Sequence, residues 1–264
     1  MLYEGVLRKM LTEVADPIEY YLNLDNSFIN VNQLLDKTMN ISFLRFECLN
    51  CALQKKIFRQ GFCYDCFMSL PQTADWIINP ELSKAHLGIE DRDLEYEKMV
   101  QLQPHVVYLA NSSSVKVGVT RKSQIPTRWI DQGAHEAIKI VETPNRYLAG
   151  ISEVVLKNHV SDKTNWRNML TNNITDEDLN LWKENLKQYL PEEVQPYFIN
   201  TSEEVNFNFP VLQFPKNPKS LNLDKTPFYQ GILKGIKGQY LIFEDDTVLN
   251  IRSNEGRVIG LEIN

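Results

Sequence analysis

The chain has 264 residues, of which 43% are apolar and 23% are charged. This ordinary globular composition excludes a disordered chain, a collagen-like chain and a small disulfide scaffold. No apolar run reaches the roughly 20 residues of a membrane-spanning helix, and the first residues lack the basic and apolar stretches of a secretory signal. We therefore expect a cytoplasmic protein without a membrane partner. The net charge of −6 argues against a uniformly basic nucleic-acid-binding protein.

Residues 1–45 predict a small antiparallel β unit, because apolar and polar residues alternate as in half-buried strands. Residues 227–264 alternate in the same way, and Tyr229–Lys234 (YQGILK) resembles Tyr3–Arg8 (YEGVLR). We interpret these segments as two related β units of SH3-like or OB-like size. They can pack together, since each has few strands with which to build a core. Chance similarity of short hairpins is the alternative.

Four cysteines form two C-x-x-C pairs within residues 46–70: Cys48, Cys51, Cys63 and Cys66. Such pairs place thiolates on tight turns and suit a tetrahedral Zn²⁺ ion. Two disulfides or a redox C-x-x-C are the alternatives. Disulfides are disfavoured in a chain without a secretory signal, and a redox motif leaves one pair without a role. We therefore predict a zinc-ribbon-like module with structural zinc.

Basic and aromatic residues lie between the two cysteine pairs. Lys55, Lys56 and Arg59 are interleaved with Phe58 and Phe62, a mixture that suits phosphate contact and stacking on bases. The three basic residues are therefore candidates for nucleic-acid binding. A hairpin that is simply solvated is the alternative.

Two acidic connectors flank the middle of the chain. The first is 71–104, in which residues 81–100 carry a charge of −3. The second, 173–226, begins with a predicted helix capped by Thr175 and continues into a proline-rich linker. A packing helix with one apolar face is the interpretation we favour for the segment that Pro191 ends.

Residues 105–172 predict a β-β-α-β-α domain. Pro126 and Gly133 suit the start and the end of its first helix. In chain order the predicted elements are strand 106–110, strand 115–120, helix 126–132, strand 137–141 and helix 146–159.

This pattern resembles the GIY-YIG nuclease superfamily, whose core is a three-stranded antiparallel sheet with helices. Val106-Val107-Tyr108 matches the motif of the first strand, and Lys116-Val117-Gly118 matches that of the second. Arg128 lies ten residues after Gly118 in the helix where the superfamily has an arginine, and Glu153 lies in the later helix that carries its metal-binding glutamate. The similarity covers about 60 residues; the whole chain is also similar to a bacterial family of unknown function.

The resemblance implies metal-dependent hydrolysis of a phosphodiester in DNA or RNA. Glu153 would bind Mg²⁺ or Mn²⁺, and Arg128 would hold the scissile phosphate. Tyr108 would activate or orient water, with Lys116 lowering the pKa of the phenol. The chain departs from the family pattern at Val106, at Lys116 and at Gln132, where the superfamily often has a histidine.

The local charge supports a surface that faces phosphates. Residues 104–168 contain nine basic and five acidic residues and therefore carry +4 within a protein of net charge −6. We add Arg121, Lys122 and Trp129 to the candidate nucleic-acid-binding residues, with Trp129 able to stack on an unpaired base.

We thus expect an α+β protein that is a GIY-YIG-like endonuclease acting on nucleic acid. A non-catalytic, zinc-containing nucleic-acid-binding protein with a degenerate form of this domain is the first alternative. A scaffold that binds protein partners through its β units and acidic helix is the second.

Overall fold

The computed structural model describes residues 2–25, 27–160 and 165–264. The chain forms two compact units. The unit that contains both chain ends, called the terminal unit, comprises Met1–Phe67, Leu170–Asn172 and Phe207–Asn264. The other, called the central unit, comprises Met68–Met169 and Asn173–Asn206.

Sixteen strands are present in the described residues. In chain order they are β1 (Leu2–Val6), β2 (Leu11–Glu13), β3 (Glu19–Leu24), β4 (Ser27–Asn30), β5 (Thr38–Phe46), β6 (Ile57–Arg59), β7 (Phe62–Cys63), β8 (His105–Asn111), β9 (Val115–Arg121), β10 (Glu136–Thr143), β11 (Val205–Asn206), β12 (Lys219–Ser220), β13 (Phe228–Lys237), β14 (Tyr240–Phe243), β15 (Thr247–Asn250) and β16 (Arg257–Ile263).

The α-helices are short. They are α1 (Tyr64–Ser69), α2 (Leu94–Gln101), α3 (Thr127–Asp131), α4 (Arg146–Leu156), α5 (Trp166–Leu170) and α6 (Leu179–Leu186). None of these helices, in the part of the chain that the structure describes, is long and apolar enough to cross a membrane. Together with four largely antiparallel sheets, they confirm the predicted α+β class.

The helix predicted to begin after Thr175 begins later. Its N-cap is Asp178, whose carboxylate accepts a hydrogen bond from the Leu181 amide at 2.9 Å. The Thr175 hydroxyl instead donates to the Ser113 carbonyl at 3.1 Å. Both residue types suit an N-cap, so the tertiary contact of Thr175 decides between them.

The terminal unit is built on a seven-stranded sheet in the order β1-β16-β5-β13-β14-β15-β12. Strands from the two predicted β units alternate at its centre. The first strand of the early unit, β1, pairs with the last strand of the late unit, β16. Conversely β13, the first of the late unit, pairs with β5, the last of the early unit. In both cases the first strand of one unit pairs with the last strand of the other, so the two similar segments form one sheet together.

The central unit holds a four-stranded sheet in the order β11-β10-β8-β9. The three longer strands overlap those predicted from the sequence, and the two-residue strand β11 lies beside β10. On one face, Val107 and Leu109 of β8 pack in a buried cluster with Leu156 of α4 and with Leu179 and Leu186 of α6. Strand β9 is an edge strand, and several of its residues line the cleft described below.

Candidate functional site

The four cysteines lie together in the terminal unit. Their sulfur atoms are all within 4.8 Å of one another, and the Cys51 and Cys63 sulfurs are 4.0 Å apart. Four thiolates around Zn²⁺ at about 2.3 Å place neighbouring sulfurs at about 3.8 Å. The cluster can therefore hold a metal ion such as zinc with small adjustments of the side chains.

A tight turn and a backbone hydrogen bond bring the cysteine pairs together. Gln60 and Gly61, with φ of 53° and 78°, form the turn between β6 and β7, a conformation typical of two-residue hairpin loops. The Leu49 amide donates to the Gly61 carbonyl at 2.9 Å, which fixes the first pair against this hairpin. A Cβ atom on Gly61 would lie 2.3 Å from the Leu49 side chain, so this position requires glycine.

Hydrogen bonds to sulfur favour the charged thiolate that a metal needs. Burial opposes ionisation of Cys48, but backbone hydrogen bonds from Cys51, Cys63 and Asn50 together lower the pKa of its thiol to about 6. The Asn50 side chain also donates to the Cys66 sulfur at 3.4 Å, which favours the thiolate, but burial and hydrogen bonds with the other three thiols raise the pKa of Cys66 to about 12. The chemistry of the donor set therefore fits a zinc ion.

The candidate nucleic-acid-binding residues of this module are exposed. Lys55 forms an ion pair with Asp65 at 2.7 Å, and the Arg59 guanidinium lies 5.5 Å from the centre of the Phe58 ring. Lys56 is exposed. An exposed aromatic ring beside two basic residues remains compatible with the predicted contact to nucleic acid.

A cleft of about 350 Å³ in the central unit contains all four predicted catalytic residues: Tyr108, Lys116, Arg128 and Glu153. They come from β8, β9, α3 and α4, so only the folded chain brings them together. Side chains alternate along a strand, and Tyr108 and Lys116 therefore lie on the face opposite the core residues Val107 and Val117. Glu153 belongs to α4, which packs on the core face of the sheet. Because residues from both faces line the cleft, the cleft lies along the edge strand β9.

Gly118 makes room for the Tyr108 side chain. The two residues are paired across β8 and β9, and a Cβ atom on Gly118 would lie 2.6 Å from the Tyr108 hydroxyl oxygen. Gly118 of the second motif therefore lies opposite Tyr108 of the first because a larger residue would collide with the tyrosine ring.

Gly118→Ala should destabilise the chain by about 1–3 kcal/mol, because the buried Tyr108 ring must move from its position. Urea unfolding of the purified variant measures this change. Gly260→Ala is the matched control, since its Cβ atom would have no neighbour closer than 3.9 Å. Equal free energies of unfolding for the two variants would contradict the proposed steric role of Gly118.

Gln132 connects two of the predicted residues. The Tyr108 hydroxyl donates to the Gln132 amide oxygen at 3.0 Å. With the amide turned over, its nitrogen donates to the Tyr108 hydroxyl at 3.0 Å, and its oxygen accepts from Nε and Nη2 of Arg128 at 3.2 and 3.3 Å. The turned orientation satisfies both neighbours, so Gln132 positions the guanidinium relative to the phenol. The sequence marked Gln132 only as a departure from the family pattern.

The predicted effect of Lys116 on the Tyr108 phenol is wrong. Burial raises the pKa of Tyr108, although Arg128 and Gln132 oppose the shift. Lys116 is itself only 4% exposed, and burial together with the Arg128 charge lowers its pKa to about 7. Burial therefore disfavours the charged amine that the predicted effect on the phenol requires.

Glu153 is the only carboxylate among the described residues that line the cleft. It is 8% exposed and pairs with Lys157 at 3.5 Å. Burial raises the pKa of Glu153, and Lys157 opposes this shift. Arg146, also in the cleft, donates to the carbonyls of Trp76 and Ile77 at 3.1 and 2.6 Å. Lys157 and Arg146 were missed, because their place in the cleft depends on how α4 packs.

The close packing of α4 explains a further residue of its sequence. A Cβ atom on Gly150 would lie 2.2 Å from the Glu81 amide nitrogen. The 71–104 segment, predicted as a connector, therefore packs directly against α4 and supplies Ile77, Ile78 and Pro80 to the cleft wall.

The other predicted nucleic-acid-binding residues of this unit lie elsewhere. Lys122 is exposed and forms an ion pair with Glu142 at 2.6 Å, and Arg121 is half-buried at the end of β9. The stacking role predicted for Trp129 is wrong. Its ring is 1% exposed and packs edge-on against Tyr108 at 5.9 Å between centroids, so no base can reach its face.

A family model described as "Protein of unknown function (DUF2797)" matches residues 36–259, well over half of the chain. The matched segment includes the cysteine cluster and every residue that lines the cleft. No curated protein and no solved structure matches the chain significantly. The chain therefore belongs to the DUF2797 family of proteins of unknown function.

Proposed function

We propose that the cleft of the central unit is the active site of a metal-dependent phosphodiesterase that cuts nucleic acid, with a GIY-YIG-like arrangement of residues. The observation that supports this proposal is that Tyr108, Lys116, Arg128 and Glu153 line one cleft although they belong to four different strands and helices. Convergence of titratable and phosphate-binding side chains in one concave site is typical of active sites.

Arg128 is suited to hold the scissile phosphate. A guanidinium has five N–H donors in one plane, so contacts with Gln132 leave donors for phosphate oxygens. Tyr108 and Gln132 fix the direction of that plane. Lys116, with a pKa of about 7, can accept the proton of the attacking water at neutral pH. This role replaces the one first expected for the tyrosine, whose pKa is raised by burial.

Glu153 would hold a divalent cation. One carboxylate is a small ligand set, but Mg²⁺ keeps several of its waters and is commonly bound by one or two carboxylates together with substrate phosphates. Burial of Glu153 makes a nearby cation favourable, and its present partner is the amine of Lys157. When bound, the ion would stabilise charge on the leaving oxygen. The cysteine cluster would hold structural zinc.

Glu153→Gln should lower the cleavage rate about 100-fold or more, as expected when a charge-stabilising group is removed from an active site. The assay uses the zinc-loaded full chain with Mg²⁺ or Mn²⁺ on single-stranded, duplex and branched DNA and RNA. Glu142→Gln is the matched control, because Glu142 pairs with Lys122 outside the cleft. Cleavage that persists in Glu153→Gln would contradict the assignment of Glu153. If the unmodified chain cuts none of the substrates, the proposed nuclease activity is contradicted.

A nucleic-acid-binding protein without catalysis is the second candidate. The observation that favours it is the composition of the cleft, which is lined by four basic side chains and a single carboxylate: Lys116, Arg128, Arg146, Lys157 and Glu153. Such a surface attracts phosphates whether or not it cuts them, and its affinity should fall steeply with salt. Tight binding that weakens with salt, without cleavage, would support this candidate. Binding that does not change with salt would favour a scaffold for protein partners.

A further inference from the structure

Lys116 is a buried amine held rigidly in a cleft. It lies in β9, which pairs with β8 along seven residue pairs from His105 to Asn111. Its side chain is 4% exposed and nevertheless lines the cleft. The pairing with β8 fixes the backbone from which the side chain extends, and functional groups on strands are held more precisely than those on loops.

The surroundings of Lys116 favour the neutral form of its amine. Burial and the neighbouring Arg128 charge lower its pKa from 10.5 to about 7, so the neutral amine is far more accessible here than in an exposed lysine. A desolvated lysine beside a second cation is an arrangement that makes the amine a nucleophile toward carbonyl carbon. Hydrolysis needs only a proton acceptor at this position, so the nucleophilic character of Lys116 is an additional property.

The rest of the cleft suits an anionic group. Arg128, Arg146 and Lys157 line it with Lys116, against the single carboxylate of Glu153. Arg146 is oriented by its bonds to the Trp76 and Ile77 carbonyls, and Arg128 by Gln132. Two oriented guanidinium groups beside a nucleophilic amine favour a carbonyl compound that also carries phosphate.

We propose that Lys116 captures aldehydes that carry a phosphate group, forming an imine while the guanidinium groups hold the phosphate. The Lys116 nitrogen adds to the aldehyde carbon, and the resulting carbinolamine loses its oxygen as water. The step consumes the neutral amine and the aldehyde, releases one water and needs neither an oxidant nor a reductant. It takes place in the cleft of the proposed nuclease but does not depend on phosphodiester hydrolysis.

Two sources supply this chemistry. One is the ring-opened sugar of an abasic position in a nucleic acid strand, which lies between two phosphates. The other is a free sugar phosphate in its aldehyde form. The test therefore uses two probes: a single-stranded oligonucleotide with one abasic position, and glyceraldehyde 3-phosphate. The same oligonucleotide with a normal base at that position shows the background.

The full chain is incubated with each probe and sodium borohydride, which reduces an imine to a stable secondary amine. Mass spectrometry of the intact protein and of its peptides then measures the adduct. We expect one adduct per chain, on the peptide that contains Lys116. Lys116→Arg should give at least about tenfold less adduct, because arginine stays protonated and does not form an imine. Lys98→Arg, which changes a lysine that pairs with Glu95 outside the cleft, should react like the unmodified chain.

Each outcome decides the question. An adduct on Lys116 that forms only with the abasic probe indicates a nucleic acid substrate. An adduct that forms only with the sugar phosphate indicates a small-molecule substrate, and adducts with both probes support the shared chemistry. Labelling spread over exposed lysines, or no adduct with either probe, would overturn the proposal. Because the labelled peptide is mapped in the unmodified chain, the result stands even if Lys116→Arg fails to fold. If the chain cuts nucleic acid but forms no adduct, the proposed reaction with aldehydes is wrong and the proposed nuclease activity stands.

Discussion

Removing the metal from the cysteine cluster is expected to unfold residues 46–70 and to lower the thermal stability of the whole chain. Cys48 and Cys63 are 1% and 2% exposed, whereas Leu53 and Phe58 of the same segment are 53% and 47% exposed. The segment therefore has little apolar core of its own. Structural zinc contributes about 10–16 kcal/mol to the folding of zinc-finger peptides at neutral pH, which exceeds the stability of most domains.

Three measurements check this expectation. Metal analysis should find one zinc per chain, a chelator should lower the melting temperature, and limited proteolysis should then cut within residues 46–70. Cys63→Ser should reproduce these effects without a chelator, because serine does not replace a thiolate ligand of zinc. Asn50→Ala is the matched control: it removes the hydrogen bond to the Cys66 sulfur but keeps four thiols, so it should retain the metal. Metal well below one equivalent, with the same melting temperature in the chelator, would contradict a structural zinc site.

Local pattern in the sequence was sufficient for much of the central unit. Strands β8 and β9 overlap the predicted segments because β8 is a short apolar run, β9 has valine at every second position, and turn residues separate the two. The cysteine cluster was also accessible to sequence reasoning, since two C-x-x-C pairs have few uses other than binding a metal. The motif tyrosine, arginine and glutamate were located by resemblance, and the structure places Tyr108, Arg128 and Glu153 in one cleft.

Contacts between distant segments could not be read from the sequence. Whether Trp129 is exposed depends on how α3 packs against Tyr108 of β8, and a buried and an exposed tryptophan look alike in sequence. The place of Arg146 depends on two carbonyls about 70 positions earlier. The pairing of β1 with β16 joins the two ends of the chain, and alternation along a strand does not specify its partner.

The cleft residues also show why the formal charge of a residue type is a weak guide to its protonation state in the folded protein. Lys116 was expected to act as a cation near the phenol, since an exposed lysine is charged at neutral pH. Inside the cleft it loses solvent and faces Arg128, so burial and like charge both favour its neutral form. A residue type predicts chemistry only when its solvent exposure is known, and exposure is a property of the tertiary structure.

Lys116→Met should stabilise the chain, and the gain should disappear at high pH. Methionine has a similar length and no charge, so it removes the cost of burying the ammonium group. The pKa of Lys116 is about 7 in the folded chain and 10.5 in its ordinary state. Between these values the unfolded chain binds more protons, and stability therefore rises with pH across this window. Below pH 7 the amine is charged in both states and the full cost is present, up to about 5 kcal/mol for a shift of this size.

The measurement is urea unfolding of the unmodified chain and of Lys116→Met at pH 6, 8 and 10. We expect the stabilisation by methionine to be greatest at pH 6, smaller at pH 8 and only about 1 kcal/mol at pH 10, because the other titrating groups are common to both proteins. Lys122→Met is the matched control. Its amine is exposed in an ion pair with Glu142, so its effect should stay within about 1 kcal/mol at each pH. A constant difference between Lys116→Met and the unmodified chain would mean that Lys116 is not buried as a titrating amine. Such a result would remove the physical basis both for its role as proton acceptor and for its reaction with aldehydes.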